Sequence, residues 1–176
     1  MIVTLILGIL SKKRSINVRK KMALLNTKQL MNVDKDIKIL LVDDALAIRM
    51  VAQKILKKLG FADVDIADNG KQAIAAMSKK HYDLVLMDIE MPEMNGLEAT
   101  ESIRDIDSSV LDHQVSIIAM TGHSDQDAIN RCMEAGMNDF ISKPIKIDHL
   151  SQIIDKGLIA SNIHDIGDNF AQANRQ

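Results

Sequence analysis

The sequence has a single cysteine, Cys132, in 176 residues. That excludes an intrachain disulfide framework and any cysteine-rich zinc site, and the want of Cys pairs fits a reducing compartment. Aromatic residues make up only 2% of the chain, too few for the stacking platforms that hold single-stranded nucleic acid. Net charge is −2, which argues against a protein whose main work is neutralising phosphates, so no nucleic-acid partner is expected. No apolar run approaches the ~20 residues that a membrane-crossing helix needs. What is present is a globular composition, 26% charged and 47% hydrophobic, in a chain of one-domain length.

The charge is unevenly spread. Residues 1–34 hold seven Lys/Arg and one acid, a local balance of +6, so the rest of the chain carries −8. The basic segment opens on an apolar stretch, Ile2 to Leu10, followed by Ser11-Lys12-Lys13-Arg14. A secretory signal has its positive charge before the apolar stretch and ends at a small-residue cleavage site, and neither is found. Residues 1–34 are therefore expected to lie outside the domain as a disordered extension. Membrane contact is expected only through residues 1–21, and the location is expected to be cytoplasmic. Met22 and Met31 are in-frame alternative starts.

From residue 37 the pattern changes. Ile37 to Val42 is a short apolar run ending in two acids and reads as a buried strand. Ile48, Val51, Ile55 and Leu59 stripe a helix closed by Gly60. Val64 to Ala67, Asp83 to Met87, Val115 to Met120 and Asp139 to Ser142 read as four more strands. Gln72 to Lys79, Leu97 to Ile106 and Asp125 to Ala135 read as helices, and Ile147, Leu150, Ile154 and Leu158 stripe a last one. Five apolar strands alternating with five helices predict an α/β fold, a parallel sheet covered on both faces. The globule is expected over 35–158, with 159–176 a polar tail.

In such a sheet the ligand crevice lies beyond the carboxyl ends of the strands. The residues at those ends are Asp43, Asp44, Asp88, Thr121 and Lys143. Three carboxylates in one crevice repel each other unless a cation joins them, and hard oxygen ligands suit Mg²⁺. A lysine beside the metal can neutralise an anion, and a threonine hydroxyl can donate to it. Metal, lysine and hydroxyl together cradle a phosphoryl group, and an aspartate in that cradle can be the nucleophile, forming an acyl phosphate.

The order and spacing of four stretches resemble the receiver domain of two-component response regulators. They are Leu40 to Asp44, Met87 to Gly96 (Met-Asp-Ile-Glu-Met-Pro-Glu-Met-Asn-Gly), Ala119 to Gly122, and Asp139 to Ile145 with its Lys143-Pro144 pair. The Met-Pro-containing run is closest to receivers attached to hybrid kinases. The resemblance implies a flavodoxin-like sheet of order 2-1-3-4-5, the order of the chemotaxis receiver, inherited with the family and not read from the residues. It implies Asp88 as phosphoacceptor, Asp44 as direct metal ligand, Asp43 as its outer-sphere companion and the Glu90 carbonyl as a further ligand. It implies Lys143 as the phosphate-pairing lysine, Thr121 as the switch hydroxyl, Phe140 as the switch aromatic, and a cis peptide before Pro144. The implied donor is a histidine kinase or a histidine phosphotransfer protein, and the implied output is altered binding of an effector protein through the fourth helix, fifth strand and fifth helix.

Some positions depart from the commonest pattern: Ala45 after the acid pair, Ile48 where many kinase-linked receivers have Asn, Gly122 where Ala is common, and Glu90 at the position that tunes phosphoryl lifetime. Asp44 is also expected to cap the first helix. Phe140 has plain packing as its other reading. Cys132 reads as a helix-face residue, and His81, His113, His123, His149 and His164 as surface residues without metal spacing. The expected function is a single-domain response regulator, not an enzyme in the ordinary sense. With only 18 residues, 159–176, after the last expected helix, no DNA-binding output domain is expected. The alternatives are a receiver fragment or binding-only module of a hybrid kinase, and a haloacid-dehalogenase-like phosphohydrolase. The latter places Asp-x-Asp directly after its first strand, whereas here those pairs are Asp63/Asp65, Asp105/Asp107 and Asp125/Asp127.

Overall fold

A computed structural model of the chain describes residues 37–122 and 125–157. The basic segment, Leu158, the polar tail, His123 and His164 lie outside the described residues. The elements run β1 (Ile39–Val42), α1 (Leu46–Leu59), β2 (Val64–Ala67), α2 (Gly70–Met77), β3 (Leu84–Asp88), α3 (Gly96–Arg104), β4 (Ser116–Thr121), α4 (Gln126–Glu134), β5 (Asp139–Ser142) and α5 (147–157). All strand pairs are parallel and the order is β2-β1-β3-β4-β5. The expected flavodoxin-like architecture is the observed one.

The three central strands are buried along their whole length, as a sheet covered on both faces requires. Side chains alternate between faces along each strand. Leu40, Val42, Val85, Met87, Ile117 and Ala119 share one cluster with Ala73 and Met77 of α2, Ala99 and Ile103 of α3, and Cys132 of α4. The alternate residues Ile39, Leu41, Leu84, Leu86, Ile118 and Met120 are equally buried and point to the other face, where α1 buries Ala52 and Leu56 and α5 buries Leu150, Ile153 and Ile154.

Local signals set the helix ends. Asn69 caps α2 by accepting from the Gln72 amide, so α2 begins at Gly70 and not at Gln72. Asn95 and Glu98 form a reciprocal capping box at the start of α3. Gly60 closes α1 at φ 99°, a left-handed conformation that favours glycine. Two expectations are corrected. Val51 is half exposed, and the buried stripe of α1 runs through Ala52 and Leu56 instead. Ile106 is 76% exposed because α3 stops at Arg104 and the chain turns extended at Asp105.

Candidate functional site

The parallel sheet brings its carboxyl ends to one edge. Asp43 and Asp44 follow β1, Asp88 is the last residue of β3, Thr121 the last of β4, and Lys143 comes one residue after β5. Asp88 pairs with Met120, next to Thr121, and Thr121 with Ser142, next to Lys143. Residues from the ends of four different strands are thereby gathered at a cleft of about 230 Å³, lined by Asp44, Asp88, Glu90, Thr121 and Lys143 together with Ala45 and Ile48.

Backbone contacts hold the exit of β3. The Ile89 amide donates to the Met120 carbonyl at 3.3 Å, and the Gly96 amide to the Ile89 carbonyl at 2.9 Å. Gly96 packs so closely on Asp88 that a Cβ there would sit 2.1 Å from the Asp88 carbonyl oxygen, so only glycine fits. The Lys143 amide donates to the Thr121 carbonyl at 2.7 Å, and the Lys143–Pro144 peptide is cis, as expected.

Asp43 is fully buried, Asp88 is 5% exposed and Asp44 is exposed. The Lys143 ammonium lies 2.7 Å from Asp43 Oδ2 and 2.8 Å from Asp88 Oδ2. One cation therefore serves two buried carboxylates. Burial pushes the Asp88 carboxyl above its ordinary range, with the Asp43 charge adding to it, and the bonds to Lys143 and the Glu90 amide only partly offset this. Burial pulls the Lys143 ammonium down, but its hydrogen bonds to Asp43 and Asp88 outweigh it and the net shift is upward.

Three acids and one lysine leave the crevice net negative. One carboxylate oxygen from each of Asp43, Asp44 and Asp88 falls within a 4.8 Å set, a hard donor group that suits a small divalent cation. All the expected cleft residues are brought together, Asp43 lying buried beneath the lysine. Phe140 sits half-buried against the core on β5.

Other expectations fare differently. Asp44 does not cap α1: the cap position is Ala45, without a side-chain bond, and the Ala45 amide donates instead to Asp43 Oδ1 at 2.8 Å. Cys132 is buried, its thiol donating to the Ala128 carbonyl, and burial pushes its pKa up. His81 and His149 are exposed, but His113 is half-buried with Nδ1 2.9 Å from the Ile103 carbonyl oxygen. The Asp63/Asp65 pair is joined to Lys80 at β2, away from the crevice. The sequence reasoning missed Arg49, whose Nη1 reaches the carbonyl oxygens of Asp43 and Asp44. Its signal was its place in the first turn of the helix that leaves the acid pair.

The comparisons agree with this geometry. The family profile described as the response regulator receiver domain matches residues 39–155. The chain belongs to the response regulator receiver family. It is 40% identical over 121 residues to the chemotaxis protein CheY of Bacillus subtilis, covering 69% of this chain and 97% of that protein. It is 42% identical over 130 residues to hybrid signal transduction histidine kinase B of Dictyostelium discoideum, and there the match spans 69% of this chain but 7% of the kinase. A probable histidine kinase 1 of rice is 37% identical, with 15% of its length spanned. Among solved structures, the receiver domain of a sensor histidine kinase from Pseudomonas aeruginosa, with a magnesium ion coordinated in its active site cleft, superposes with a TM-score of 0.63 at 33% identity, covering 70% of this chain and 98% of that one. This receiver is thus a two-component signalling module, and among its described residues no helix is long and apolar enough to cross a membrane.

Proposed function

We propose that Asp88 accepts a phosphoryl group from a phosphohistidine, and that the modified receiver switches its binding of an effector protein. The observation that carries the proposal is the Lys143 ammonium held 2.8 Å from Asp88 and 2.7 Å from Asp43 at the carboxyl edge of the sheet. An Asp88 carboxylate oxygen attacks phosphorus, the P–N bond to the donor imidazole breaks, and its electron pair returns to the ring nitrogen. The product is an acyl phosphate on Asp88. Asp43, Asp44 and Asp88, with the Glu90 carbonyl, would hold Mg²⁺ in the cleft. When bound, that ion supplies neutralisation of the negative charge gathered on the phosphoryl oxygens. Lys143 exchanges its bond to Asp88 for one to a phosphoryl oxygen, and the Thr121 hydroxyl donates to another. Thr121 and Phe140, two residues apart in register across β4 and β5, then convey the change to the face made by α4, β5 and α5.

The proposed domain runs over 35–158, with 1–34 and 159–176 as flanks, and the proposed location is the cytoplasm. The donor is a histidine kinase or a histidine phosphotransfer protein. Leu46, Met50 and Val51 of α1 are 48–63% exposed, an apolar patch on the helix that leaves the cleft, suited to such a protein. The test is incubation with Mg²⁺ and acetyl phosphate followed by intact mass. One added phosphoryl group in the wild type and none in Asp88→Asn is expected. Full incorporation in Asp88→Asn would displace the acceptor assignment.

A further inference from the structure

The turn from Asp43 to Ala45 has little of its own to hold it. Ala45 offers no capping side chain and the first turn of α1 contains no acid. The Asp43 amide donates to the Ala67 carbonyl at 3.2 Å, the Ala45 amide to Asp43 Oδ1 at 2.8 Å, and the Ala45 carbonyl accepts from the Ile48 and Arg49 amides at 3.0 and 3.1 Å, so the carbonyls of Asp43 and Asp44 are the groups left for a side chain to meet. The Arg49 side chain meets both. Its Nη1 lies 2.6 Å from the Asp43 carbonyl oxygen, 3.0 Å from that of Asp44 and 2.8 Å from Asp68 Oδ1. The Arg49 side chain is only 14% exposed, although arginine is rarely covered unless paired. A cation in the first turn also opposes the helix dipole. An arginine in this place needs a compensating role, and three oxygens converging on one nitrogen describe it.

We infer that Arg49 is a positioning residue for the metal-binding carboxylates, tying the Asp43–Asp44 turn to Asp68 on the loop after β2. The inference rests on the proposed binding of Mg²⁺. Two consecutive carbonyls aimed at one donor restrict the backbone on either side of Asp44, and so restrict where both carboxylates can point. Magnesium demands near-ideal octahedral geometry, so its affinity is sensitive to that placement. Asp68 meets the same guanidinium nitrogen from the loop after β2, while its own amide donates to Gln72 Oε1 at 3.0 Å at the start of α2. Positioning and simple electrostatics make opposite predictions. A guanidinium that acts only as a charge repels a dication, and its removal would tighten Mg²⁺ binding.

The test titrates the full-length protein with Mg²⁺ alone, at fixed ionic strength, by calorimetry, with circular dichroism checking that each variant is folded. Arg49→Met keeps the aliphatic stem and is expected to weaken Mg²⁺ about tenfold, as loss of an outer partner of a metal site does. Asp68→Asn, at a position whose side chain is 53% exposed, is expected to weaken it less. The double variant should be no weaker than Arg49→Met, because Asp68 acts through Arg49. Unchanged or tighter binding in Arg49→Met overturns the inference, and additive losses overturn the link to Asp68. A second readout needs no metal: hydrogen exchange of the Ala45 amide in Mg²⁺-free buffer should quicken in both single variants. If the wild type fails to bind Mg²⁺, the proposed cofactor falls, and unchanged Ala45 exchange in Arg49→Met then overturns the role of Arg49 separately.

Discussion

At the residue scale, ionising Asp88 carries a cost. Its folded pKa is raised, burial being the largest cause, so the folded state binds that proton more tightly than the unfolded chain. Stability therefore falls as pH rises from the ordinary carboxylate value through the raised folded one, and the penalty is full only above the latter. Asp88→Asn should melt at the same temperature as the wild type or higher at pH 7, while losing phosphorylation. A clear drop in melting temperature would mean that the pair with Lys143 outweighs the burial. Gly96→Ala should do the reverse of a mild change. Its Cβ would meet the Asp88 carbonyl at 2.1 Å, and overpacking of this kind costs about 1–3 kcal/mol, read by urea denaturation, with slower phosphorylation because the acceptor moves. Tyr82 gives a pH prediction free of the cleft. It is the only tyrosine, its hydroxyl donates to Asp65 Oδ2 at 2.7 Å, and burial together with that bond pushes its pKa up to about 12. The unfolded phenol ionises near 10. Stability should thus decline from about pH 10 and level off above about 12. Its size is on the order of 1–2 kcal/mol, once screening around the half-exposed Asp65 is allowed for. Absorbance titration of the phenolate reads the pKa directly, and Tyr82→Phe should flatten the alkaline slope.

At the scale of elements, Arg104 joins pieces that the pattern of apolar residues does not connect. From the last turn of α3 it donates to the carbonyls of His113, Val115 and Gly136 and to Asn138 Oδ1, at 2.7–3.0 Å. Asn138 Oδ1 also accepts from the Ile117 amide. The end of α3, the entry to β4 and the turn from α4 into β5 are thus held by one guanidinium. Burial lowers its pKa, yet an arginine stays charged at any working pH. Arg104→Met should cost about 3 kcal/mol, because four oxygens lose a charged donor, with faster amide exchange at Asn138 as the local sign. Loss of stability without that local change would point to the covered stem of the side chain instead. The same elements show where periodicity falters. Alternate spacings fit both Val51 and Ala52 into the α1 stripe, and only the packing of α1 on the sheet exposes one and buries the other.

At the scale of the whole molecule, the described residues form a five-stranded sheet with helices over both faces, and β1 lies inside it, paired on each side. A chain beginning at Met31 keeps β1 and everything after it. It should therefore melt and take up phosphate like the full chain, the melting temperature being measured by circular dichroism and the modification by intact mass. A loss of several kcal/mol, on the order of a removed core side chain or more, would show that residues before Met31 belong to the domain.

The strands, their parallel direction and the cleft residues Asp43, Asp44, Asp88, Thr121 and Lys143 were legible in the sequence. Apolar runs ending in acids, a threonine and a lysine are local patterns, and strand ends converge wherever all strands run the same way. The helix caps at Asn69 and Asn95 move the element ends by a residue or two, since they depend on side chains bonding to nearby amides. Tertiary structure alone decided that Lys143, 100 residues after Asp43, bridges it to Asp88, that Gly96 lies against the Asp88 carbonyl, and that Arg49 and Arg104 turn inward to backbone oxygens. A long charged side chain on a helix reads as a solvated surface group in any periodicity. Its destination depends on which carbonyls a neighbouring loop leaves within reach, and that is settled only when the loops are packed.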